Sequence, residues 1–279
     1  MIGKIKRLRR LWNERSQRIL MVPLDHGVTI GPVPGLDKFR PTVKTLINGG
    51  VDAVVMHKGM IAQNYDLLTD GKPGLIMHLS ASTVLGGDPT WKVLTGTVEE
   101  ALAMGCDAVS VHVNLGSMHE AEMIRDFAKV AGECIRYGLP LLAMVYSRGK
   151  NIVKENDPAL IRHAARIGGE LGADLVKVSY TGDPDSFQDV VMGCPVPVLV
   201  AGGERKDDVA GVLRMTAEVL EVGAKGVSIG RNIFQHERPK LLIDTLSLII
   251  HDNVPWETAY HYYQNVLLSE SSVASASEL

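Results

Sequence analysis

Short apolar runs alternate with longer segments of helical periodicity along most of this chain. Eight of the apolar runs have the length and the unbroken hydrophobic character of parallel strands that are buried on both faces. The predicted strands are Ile19–Leu24, Ala53–Met56, Leu75–Leu79, Ala108–Val113, Leu141–Val145, Leu175–Val178, Val198–Val200 and Gly226–Ile229. The segments between and after them carry Ala, Leu, Val or Glu at helical spacing. The predicted helices are Phe39–Asn48, Val98–Met104, His119–Tyr137, Pro158–Leu171, Asp183–Met192, Asp207–Val222, Leu241–Ile250 and Pro255–Leu267.

The exits from four predicted helices share one form, in which a glycine ends the helix and a short turn leads into the next apolar run. These exits read Gly-Val-Asp-Ala-Val, Gly-Cys-Asp-Ala-Val, Gly-Ala-Asp-Leu-Val and Gly-Ala-Lys-Gly-Val. Repeated βα units with short turns form a parallel sheet, and eight units with no strand left over favour closure. We therefore predict an α/β fold, a (β/α)8 TIM barrel with an N-terminal helix and a C-terminal helical extension. An open doubly wound sheet is the alternative, but no GxGxxG follows the first strand.

We expect a single barrel domain over residues 1–268, because barrels of roughly 250 residues commonly form one domain. The basic segment Met1–Trp12 lacks the apolar run of a secretory signal, and we expect it to be a helix that closes the bottom of the barrel. The aromatic stripe of Pro255–Leu267 is expected to pack on the barrel. The Ser-rich segment 269–279 has the composition of a disordered tail.

Composition limits the classes of partner. The chain has 29 basic and 32 acidic residues and a formal net charge of -3, so nothing in its charge favours nucleic acid or an anionic membrane. No segment approaches the roughly 20 apolar residues of a membrane span. Cys106, Cys134 and Cys194 are odd in number and lack metal-ligand spacing. They favour a reducing compartment, the cytoplasm, and the partners expected are small molecules.

Polar and titratable residues crowd the ends of the predicted strands. The catalytic groups of a TIM barrel lie at the C-terminal ends of its strands and in the loops that follow. The eight ends read Asp25-His26-Gly27, His57-Lys58-Gly59, His78-Leu79-Ser80, His112-Val113-Asn114, Tyr146-Ser147-Arg148-Gly149, Lys177-Val178-Ser179-Tyr180, Ala201-Gly202-Gly203-Glu204 and Gly230-Arg231-Asn232. One rim of the barrel is therefore predicted to carry the functional site.

Lys177 lies in the middle of an apolar strand that offers it no acidic partner. Burying an ammonium group costs several kcal/mol unless the group is paired or loses its proton, and a neutral amine is a nucleophile. A lysine near a strand end that reaches solvent is the alternative reading. Lys58 is a rival nucleophile, but it follows its strand beside Gly59 and is expected to be solvated.

The seventh and eighth strands are followed by Gly202-Gly203 and Gly230-Arg231. Barrels commonly hold a phosphate group at these two loops, because glycine lets backbone N–H groups approach the phosphate oxygens. Arg231 could add a charge-assisted pair. Lys177 then becomes a candidate for imine formation with a phosphorylated carbonyl compound, with Tyr146 and Asp25 as the groups that could move protons.

Two other classes of function stay open at this point. His26, His57, His78 and His112 follow the first four strands and could bind Zn²⁺ together with Asp25, as in a metal-dependent lyase or hydrolase. No His-x-His or His-Glu-x-x-His pair occurs, and the same histidines would also serve as a hydrogen-bonding layer. The other class is a barrel without catalytic activity that binds a sugar phosphate as a sensor.

The motifs at the strand ends resemble those of the archaeal-type, DhnA-like class I aldolases, and most closely the branch of 2-amino-3,7-dideoxy-D-threo-hept-6-ulosonate synthases. The likeness runs from about Met1 to about His251. The motifs are Pro23-Leu24-Asp25-His26-Gly27-Val28-Thr29, His57-Lys58-Gly59, His78-Leu79-Ser80-Ala81-Ser82-Thr83, Ser110-Val111-His112-Val113-Asn114, Leu142-Ala143-Met144-Val145-Tyr146, Tyr180-Thr181-Gly182-Asp183-Pro184, Ala201-Gly202-Gly203 and Gly230-Arg231-Asn232-Ile233-Phe234-Gln235-His236.

This resemblance implies a (β/α)8 barrel, no metal or other cofactor, and a higher homo-oligomer such as a decamer. It implies that Lys177 forms the imine, that Tyr146 donates a proton and that Asp25 accepts one. The residues that it implies for the donor sugar phosphate are Asp25, His26, Gly27, Val28, Thr29, Tyr146, Ser147, Arg148, Gly202, Gly203, Gly230 and Arg231.

The reaction implied by the resemblance joins a fragment of a ketose phosphate to L-aspartate 4-semialdehyde, on a route to aromatic amino acids. A related branch uses dihydroxyacetone phosphate with the same semialdehyde. Two departures, Ser147 in place of the usual proline and the unusual segment Val84–Trp91, leave open a specialised paralogue in secondary metabolism. Fructose-bisphosphate aldolase is the nearest alternative, but such enzymes tend to carry tryptophan where this chain has Met144.

Overall fold

The computed structural model describes residues 2–205 and 207–276 and contains a closed parallel barrel. The strands are β1 Ile19–Pro23, β2 Ala53–Met56, β3 Gly74–His78, β4 Ser80–Ala81, β5 Val93–Leu94, β6 Ala108–Leu115, β7 Leu141–Ser147, β8 Leu175–Val178, β9 Val198–Ala201 and β10 Gly226–Ser228. β4 and β5 form a separate, short antiparallel hairpin, and the other eight strands form the barrel. Around the barrel the order is β1-β10-β9-β8-β7-β6-β3-β2. The predicted (β/α)8 architecture and all eight predicted strands are confirmed.

Helices cover the outside of the barrel and both chain ends. They are α1 Ile2–Arg10, α2 His26–Ile30, α3 Phe39–Gly49, α4 Lys58–Asn64, α5 Val98–Ala103, α6 Glu120–Tyr137, α7 Pro158–Glu170, α8 Pro184–Gly193, α9 Val209–Glu221, α10 Arg231–Phe234, α11 Pro239–Asp252 and α12 Trp256–Ala276, with a 3₁₀ turn at Tyr65–Leu67. The predicted helices recur with shifted ends, whereas α2, α4 and α10 are too short to produce a periodic pattern.

The last helix, α12, continues to Ala276, although the sequence predicts disorder from Ser269. Extending an existing helix by one residue adds one backbone hydrogen bond without a new nucleation cost, so a helix that starts on the barrel can continue beyond it. Residues 277–279 of the predicted tail lie outside the described residues. The domain boundary at residue 268 stays a prediction.

The side chains of the strands alternate between two cores. Outward-facing residues pack against the helices, and inward-facing residues fill the lower half of the barrel. The inner core consists of Leu11, Ile19, Met21, Ala53, Val55, Ile76, Ala108, Leu142, Met144, Tyr146, Leu175 and Leu199. Each buried side chain of leucine size contributes about 1.5–3 kcal/mol to the free energy of unfolding.

The N-terminal helix closes the bottom of the barrel, as predicted. Leu11, just after α1, is completely buried in the inner core. Lys4 forms an ion pair with Asp174 at 2.9 Å, and Arg10 forms one with Asp107 at 3.0 Å, so both ends of the helix are fastened to the strand entrances.

The aspartates of the repeated helix exits have a structural function. Each accepts a hydrogen bond from a backbone N–H near the start of the neighbouring barrel strand. The bonds run from Leu20 to Asp52 (2.7 Å), from Leu75 to Asp107 (3.0 Å) and from Leu141 to Asp174 (2.8 Å). The aspartate of the repeated motif therefore provides a carboxylate that connects adjacent strands at the closed end of the barrel.

The C-terminal helix packs on α9 and α11, so the predicted packing of its aromatic stripe on the barrel is confirmed. Ala259 is completely buried, and the hydroxyl of Tyr263 lies 3.2 Å from Nε2 of His236.

No helix in the described ranges is both long and apolar enough to span a membrane. The three cysteines are free thiols, and burial raises the pKa of Cys106 and Cys134 to about 12.

Candidate active site

A cavity of about 400 Å³ opens at the C-terminal ends of the barrel strands. Most of the residues predicted for the site line this cavity. They are Asp25, His26, Thr29, Tyr146, Arg148, Lys177, Gly202, Gly203, Gly230 and Arg231. The structure does not place the other three predicted residues, Gly27, Val28 and Ser147, in the lining. Ser147 ends strand β7, and its side chain is buried outside the cavity.

Lys177 projects from β8 into the barrel and reaches the cavity. It has the same orientation as Leu175 of the inner core, while Val176 and Val178 pack outward against helices. The residue is only 6% exposed. Within the described residues its amine has no carboxylate within 4.0 Å and no hydrogen-bond partner, which leaves its nitrogen available to a ligand in the cavity.

Tyr146 lies on the next strand, β7, and faces the same cavity. Its ring lies 4.9 Å from that of His112, and the guanidinium group of Arg148 stacks over it at 4.6 Å. Arg148 is held in turn by Glu155, whose Oε2 lies 3.0 Å from Nε. These contacts fix the ring while its hydroxyl remains at a lining position, where it can donate or accept a proton.

Asp25 lies two residues after the end of β1, among basic side chains. Its carboxylate oxygens lie 3.5 Å from Nδ1 of His26 and 3.6 Å from Nε2 of His78. Burial alone would raise the pKa of Asp25, but His78, His26, Lys177 and His57 together outweigh burial and hold this pKa well below its usual range. The site therefore contains a carboxyl group of lowered pKa that interacts with the charge of Lys177.

Two of the four predicted rim histidines hydrogen-bond to neighbouring side chains through a ring nitrogen. Nδ1 of His78 lies 2.8 Å from the hydroxyl of Ser110, and Nε2 of His112 lies 2.8 Å from Oδ1 of Asn114. The rings of His57 and His78 meet edge to face at 5.2 Å. Burial lowers the pKa of His78 to about 4 and also lowers those of His57 and His112.

The metal-centre interpretation finds no support in this geometry. Across residues 2–205 and 207–276, no group of three or more His, Cys, Asp or Glu side chains is arranged to hold a metal ion. His78 and His112 instead each use a ring nitrogen on a neighbouring side chain, as in the hydrogen-bonding layer that the sequence left open, whereas Nδ1 of His26 is buried and has no hydrogen-bond partner in the described part of the chain.

The loops after β9 and β10 form a cradle of backbone and one guanidinium group. Gly203 has φ +68°, a conformation that favours glycine, and a Cβ on Gly230 would lie 2.8 Å from the ring of His26. Asn232 donates to the carbonyl groups of Gly202 and Glu204 at 2.9 and 3.1 Å and so holds the turn that follows β9.

Arg231 spans the two turns of this cradle. Its Nη2 donates to the carbonyl oxygen of Gly203 at 3.2 Å, and its Nη1 lies 3.7 Å from Oε1 of the exposed Glu204. Its Nε is buried and has no hydrogen-bond partner within the described part of the chain. A guanidinium group with an unused buried donor beside glycine turns can accept an anion such as phosphate.

A second buried lysine in the cavity was missed by the sequence analysis. Lys92 is 8% exposed, and its Nζ donates to the hydroxyl of Ser82 at 2.5 Å. It lies in the hairpin of β4 and β5, whose two-residue strands give no periodic signal. Lys58, the rival nucleophile, forms an ion pair with Glu100 at 2.8 Å on the outer surface, and it does not line the cavity.

Comparison with known proteins gives matches over nearly the whole barrel. A family model described as DeoC/LacD family aldolase matches residues 19–236. A 2-amino-4,5-dihydroxy-6-oxo-7-(phosphonooxy)heptanoate synthase of Streptomyces griseus is 45% identical over 247 residues, which is 88% of this chain and 90% of the relative.

Two further matches agree with that result. A 2-amino-3,7-dideoxy-D-threo-hept-6-ulosonate synthase of Halobacterium salinarum is 41% identical over 92% of this chain and 95% of its own length. A solved structure of a Schiff-base-forming fructose-1,6-bisphosphate aldolase superimposes with a TM-score of 0.82 at 31% identity, covering 88% of this chain and 99% of the other.

Proposed function

This chain belongs to the DeoC/LacD family of aldolases and is a class I aldolase, and from that premise we propose that Lys177 forms an imine with a phosphorylated ketone donor, which is then joined to L-aspartate 4-semialdehyde. The product is a seven-carbon 2-amino acid of the heptulosonate type. The observation that carries the proposal is the buried amine of Lys177, which faces the cavity without a carboxylate partner.

The bond changes follow from imine chemistry. The lone pair of Lys177 attacks the donor carbonyl carbon, and the resulting carbinolamine loses its hydroxyl as water to give the imine. Breaking a C–H or C–C bond beside the imine yields an enamine, whose carbon attacks the aldehyde carbon of the acceptor. The aldehyde oxygen takes up a proton, and water then hydrolyses the new imine to release the ketone product and the lysine.

Tyr146 and Asp25 are the groups that we propose move these protons. Tyr146 faces the cavity from the strand beside Lys177, so its hydroxyl can protonate the leaving hydroxyl of the carbinolamine and take the proton back later. Asp25 stays ionised because its pKa is held low, so its carboxylate can accept the proton released when the bond beside the imine breaks.

The cradle of Gly202, Gly203, Gly230 and Arg231 is proposed to bind the phosphate of the donor. The unused buried Nε of Arg231 and the positive φ of Gly203 support this assignment. Binding energy from the phosphate would hold the donor carbonyl near Lys177, which lies on the strand adjacent to β9.

The names of the relatives support the choice of acceptor. A 2-amino-4,5-dihydroxy-6-oxo-7-phosphonooxy heptanoate divides at its C4–C5 bond into L-aspartate 4-semialdehyde and dihydroxyacetone phosphate. The 3,7-dideoxy product of the other relative keeps the same amino acid half and carries no phosphate. We propose the shared half, the semialdehyde, as the acceptor, with a ketose phosphate or dihydroxyacetone phosphate as donor.

Cleavage of fructose 1,6-bisphosphate is the second proposal, since a solved aldolase of that activity is similar in structure. Its identity to this chain is 31%, below the 41–45% of the two synthases. Met144, where such aldolases tend to carry tryptophan, lines the cavity next to Lys177 and changes the wall that a sugar would contact.

One experiment tests the proposal and separates the donors. The purified protein is incubated with each donor and sodium borohydride, and the peptides are then weighed. We expect the mass of the reduced donor on the peptide that contains Lys177, and an active preparation without that label contradicts the proposal. The mass of the product formed with L-aspartate 4-semialdehyde then distinguishes the donors. A product that retains the phosphate indicates dihydroxyacetone phosphate, and a product without phosphate indicates a ketose phosphate whose phosphate leaves with the other fragment.

We further propose that the protein acts as a homo-oligomer in the cytoplasm. Its free thiols are compatible with a reducing compartment. Light scattering of the purified protein tests the assembly, and a molar mass equal to that of one chain would contradict it.

A further inference from the structure

Lys92 lies on the opposite side of the cavity from the proposed phosphate cradle. In an eight-stranded barrel, strands four places apart face each other across the axis. The barrel order places β9 opposite β3 and β10 opposite β6. The hairpin that carries Lys92 begins two residues after β3, and Asn114 on β6 donates to the carbonyl oxygen of Thr90 at 2.7 Å, which ties the hairpin to that side.

Lys92 is buried, and its amine makes fewer hydrogen bonds within the described residues than it can donate. Its only hydrogen bond among the described residues goes to the hydroxyl of Ser82, and no carboxylate in those residues lies within 4.0 Å of it. Lys92 Nζ has three donors, so two remain for a ligand. Burial lowers the pKa of Lys92, Asp25 partly opposes this, and Arg148 adds to the lowering.

The two arginines of the cavity each have a carboxylate nearby. Arg148 is paired with Glu155, and Arg231 lies beside Glu204. Lys177 has a proposed role in imine formation, which leaves Lys92 as the other buried lysine of the cavity without a carboxylate within 4.0 Å in the described residues. Lys92 lies on the side remote from the phosphate cradle, and Lys177 lies on β8, between β9 of the cradle and β7.

We propose that Lys92 binds the anionic group of the aldehyde partner, which is the carboxylate of L-aspartate 4-semialdehyde. This inference rests on the proposed function and adds a residue that determines acceptor specificity. With the donor phosphate held on one side and the acceptor carboxylate on the other, the aldehyde carbon is directed toward the enamine on Lys177. An uncharged aldehyde lacks this anchor and leaves a buried cation unpaired.

The test compares three aldehydes with dihydroxyacetone phosphate as donor. Succinate semialdehyde carries a carboxylate, butanal has the same chain length without charge, and glyceraldehyde 3-phosphate carries a phosphate. For the variant Lys92→Met we expect the ratio of kcat/KM for succinate semialdehyde over butanal to fall about 10- to 100-fold. Lys92→Arg should retain most of the preference, because it keeps the positive charge.

Lys58→Met is the matched control, since Lys58 is exposed, paired with Glu100 and outside the cavity. Its acceptor ratio should equal that of the wild type. An unchanged ratio in Lys92→Met overturns the proposal, and so does an equal loss with both aldehydes. A loss of preference for glyceraldehyde 3-phosphate alone would also overturn it, because Lys92 would then read a phosphate and not a carboxylate.

Borohydride trapping of the donor in each variant separates this inference from the proposed function. Absence of the label in wild-type protein contradicts the imine at Lys177, whereas a normal label with an unchanged acceptor ratio contradicts only the role of Lys92.

A second measurement avoids substitutions altogether. Amine acetylation of the wild type, read by peptide mass, should slow at Lys92 in the presence of 4-hydroxybutyrate but not 1-butanol. Equal rates with both compounds overturn the proposal.

Discussion

Met144 and Lys177 are paired in the parallel register of β7 and β8, and both side chains face the cavity. Met144 is 2% exposed, so it forms a fixed part of the wall beside the amine. Tyr146 follows two residues later on the same face of the strand. This register places an apolar side chain beside the amine of Lys177, the proposed nucleophile, and a phenol nearer the mouth of the cavity.

Replacing Lys177 by methionine should remove catalysis without unfolding the protein. Methionine is similar in length but has no nucleophilic nitrogen, and the lysine makes no ion pair within the described residues whose loss would cost stability. We expect kcat/KM to fall at least about 10³-fold and borohydride trapping to disappear, as measured by product formation and peptide mass. Lys58→Met should keep both. Trapping at full yield in Lys177→Met would contradict the assignment.

Replacing Tyr146 by phenylalanine tests proton transfer. The ring contacts with His112 and Arg148 are kept, whereas the hydroxyl is lost. We expect kcat to fall about 10²- to 10⁴-fold with little change in the melting temperature. Rapid-quench trapping of the imine should slow in parallel. An unchanged kcat would exclude a role for this hydroxyl in the slow step.

Acid should destabilise the fold through His78. Its pKa is lowered from 6.5 to about 4 in the folded protein, so between these pH values the unfolded chain binds more protons than the folded one. The free energy of unfolding should therefore fall as pH decreases through this window, by up to about 3 kcal/mol from this group. Urea unfolding at several pH values measures the slope.

The variant His78→Asn should flatten that slope, while His163→Asn, on the exposed face of α7, should leave it unchanged. Equal slopes in the wild type and in His78→Asn would contradict the shift. The low pKa of Asp25 predicts a further loss of stability at still lower pH, because protonating this carboxylate removes its interaction with the surrounding basic groups.

Asp107→Ala tests the carboxylate that ties β6 to β3. The substitution leaves the buried N–H of Leu75 without its acceptor and Arg10 without its partner. We expect the free energy of unfolding to fall by about 1–3 kcal/mol, as measured by urea denaturation. Asp189→Ala, at an exposed position of α8, is the control and should change it by less than about 0.5 kcal/mol.

The sequence was sufficient to predict the barrel, because strands buried on both faces are apolar runs and four helix exits repeat the same turn. The same logic located Lys177, Tyr146 and Asp25, since all of them follow or occupy strands that end at one rim. The roles of these three residues stay proposals until trapping and kinetics are measured.

Other parts of the site depend on contacts that spacing along the chain does not contain. Lys92 reaches the cavity from a hairpin with strands of two residues, too short to produce alternation. The choice between metal ligands and a hydrogen-bonding layer depended on Ser110 and Asn114, whose proximity to His78 and His112 arises from strand pairing and from the alternation of side chains.

Leu11 closes the bottom of the barrel, so within the described residues the cavity opens at the C-terminal ends of the strands. If the donor forms the proposed imine with the buried Lys177, the donor is expected to bind before the aldehyde, and the product is expected to leave through the opening by which both substrates entered. Because the barrel is closed at its base, we expect ordered kinetics in which the donor binds first. Excess aldehyde should then inhibit the reaction by blocking access of the donor to the free enzyme.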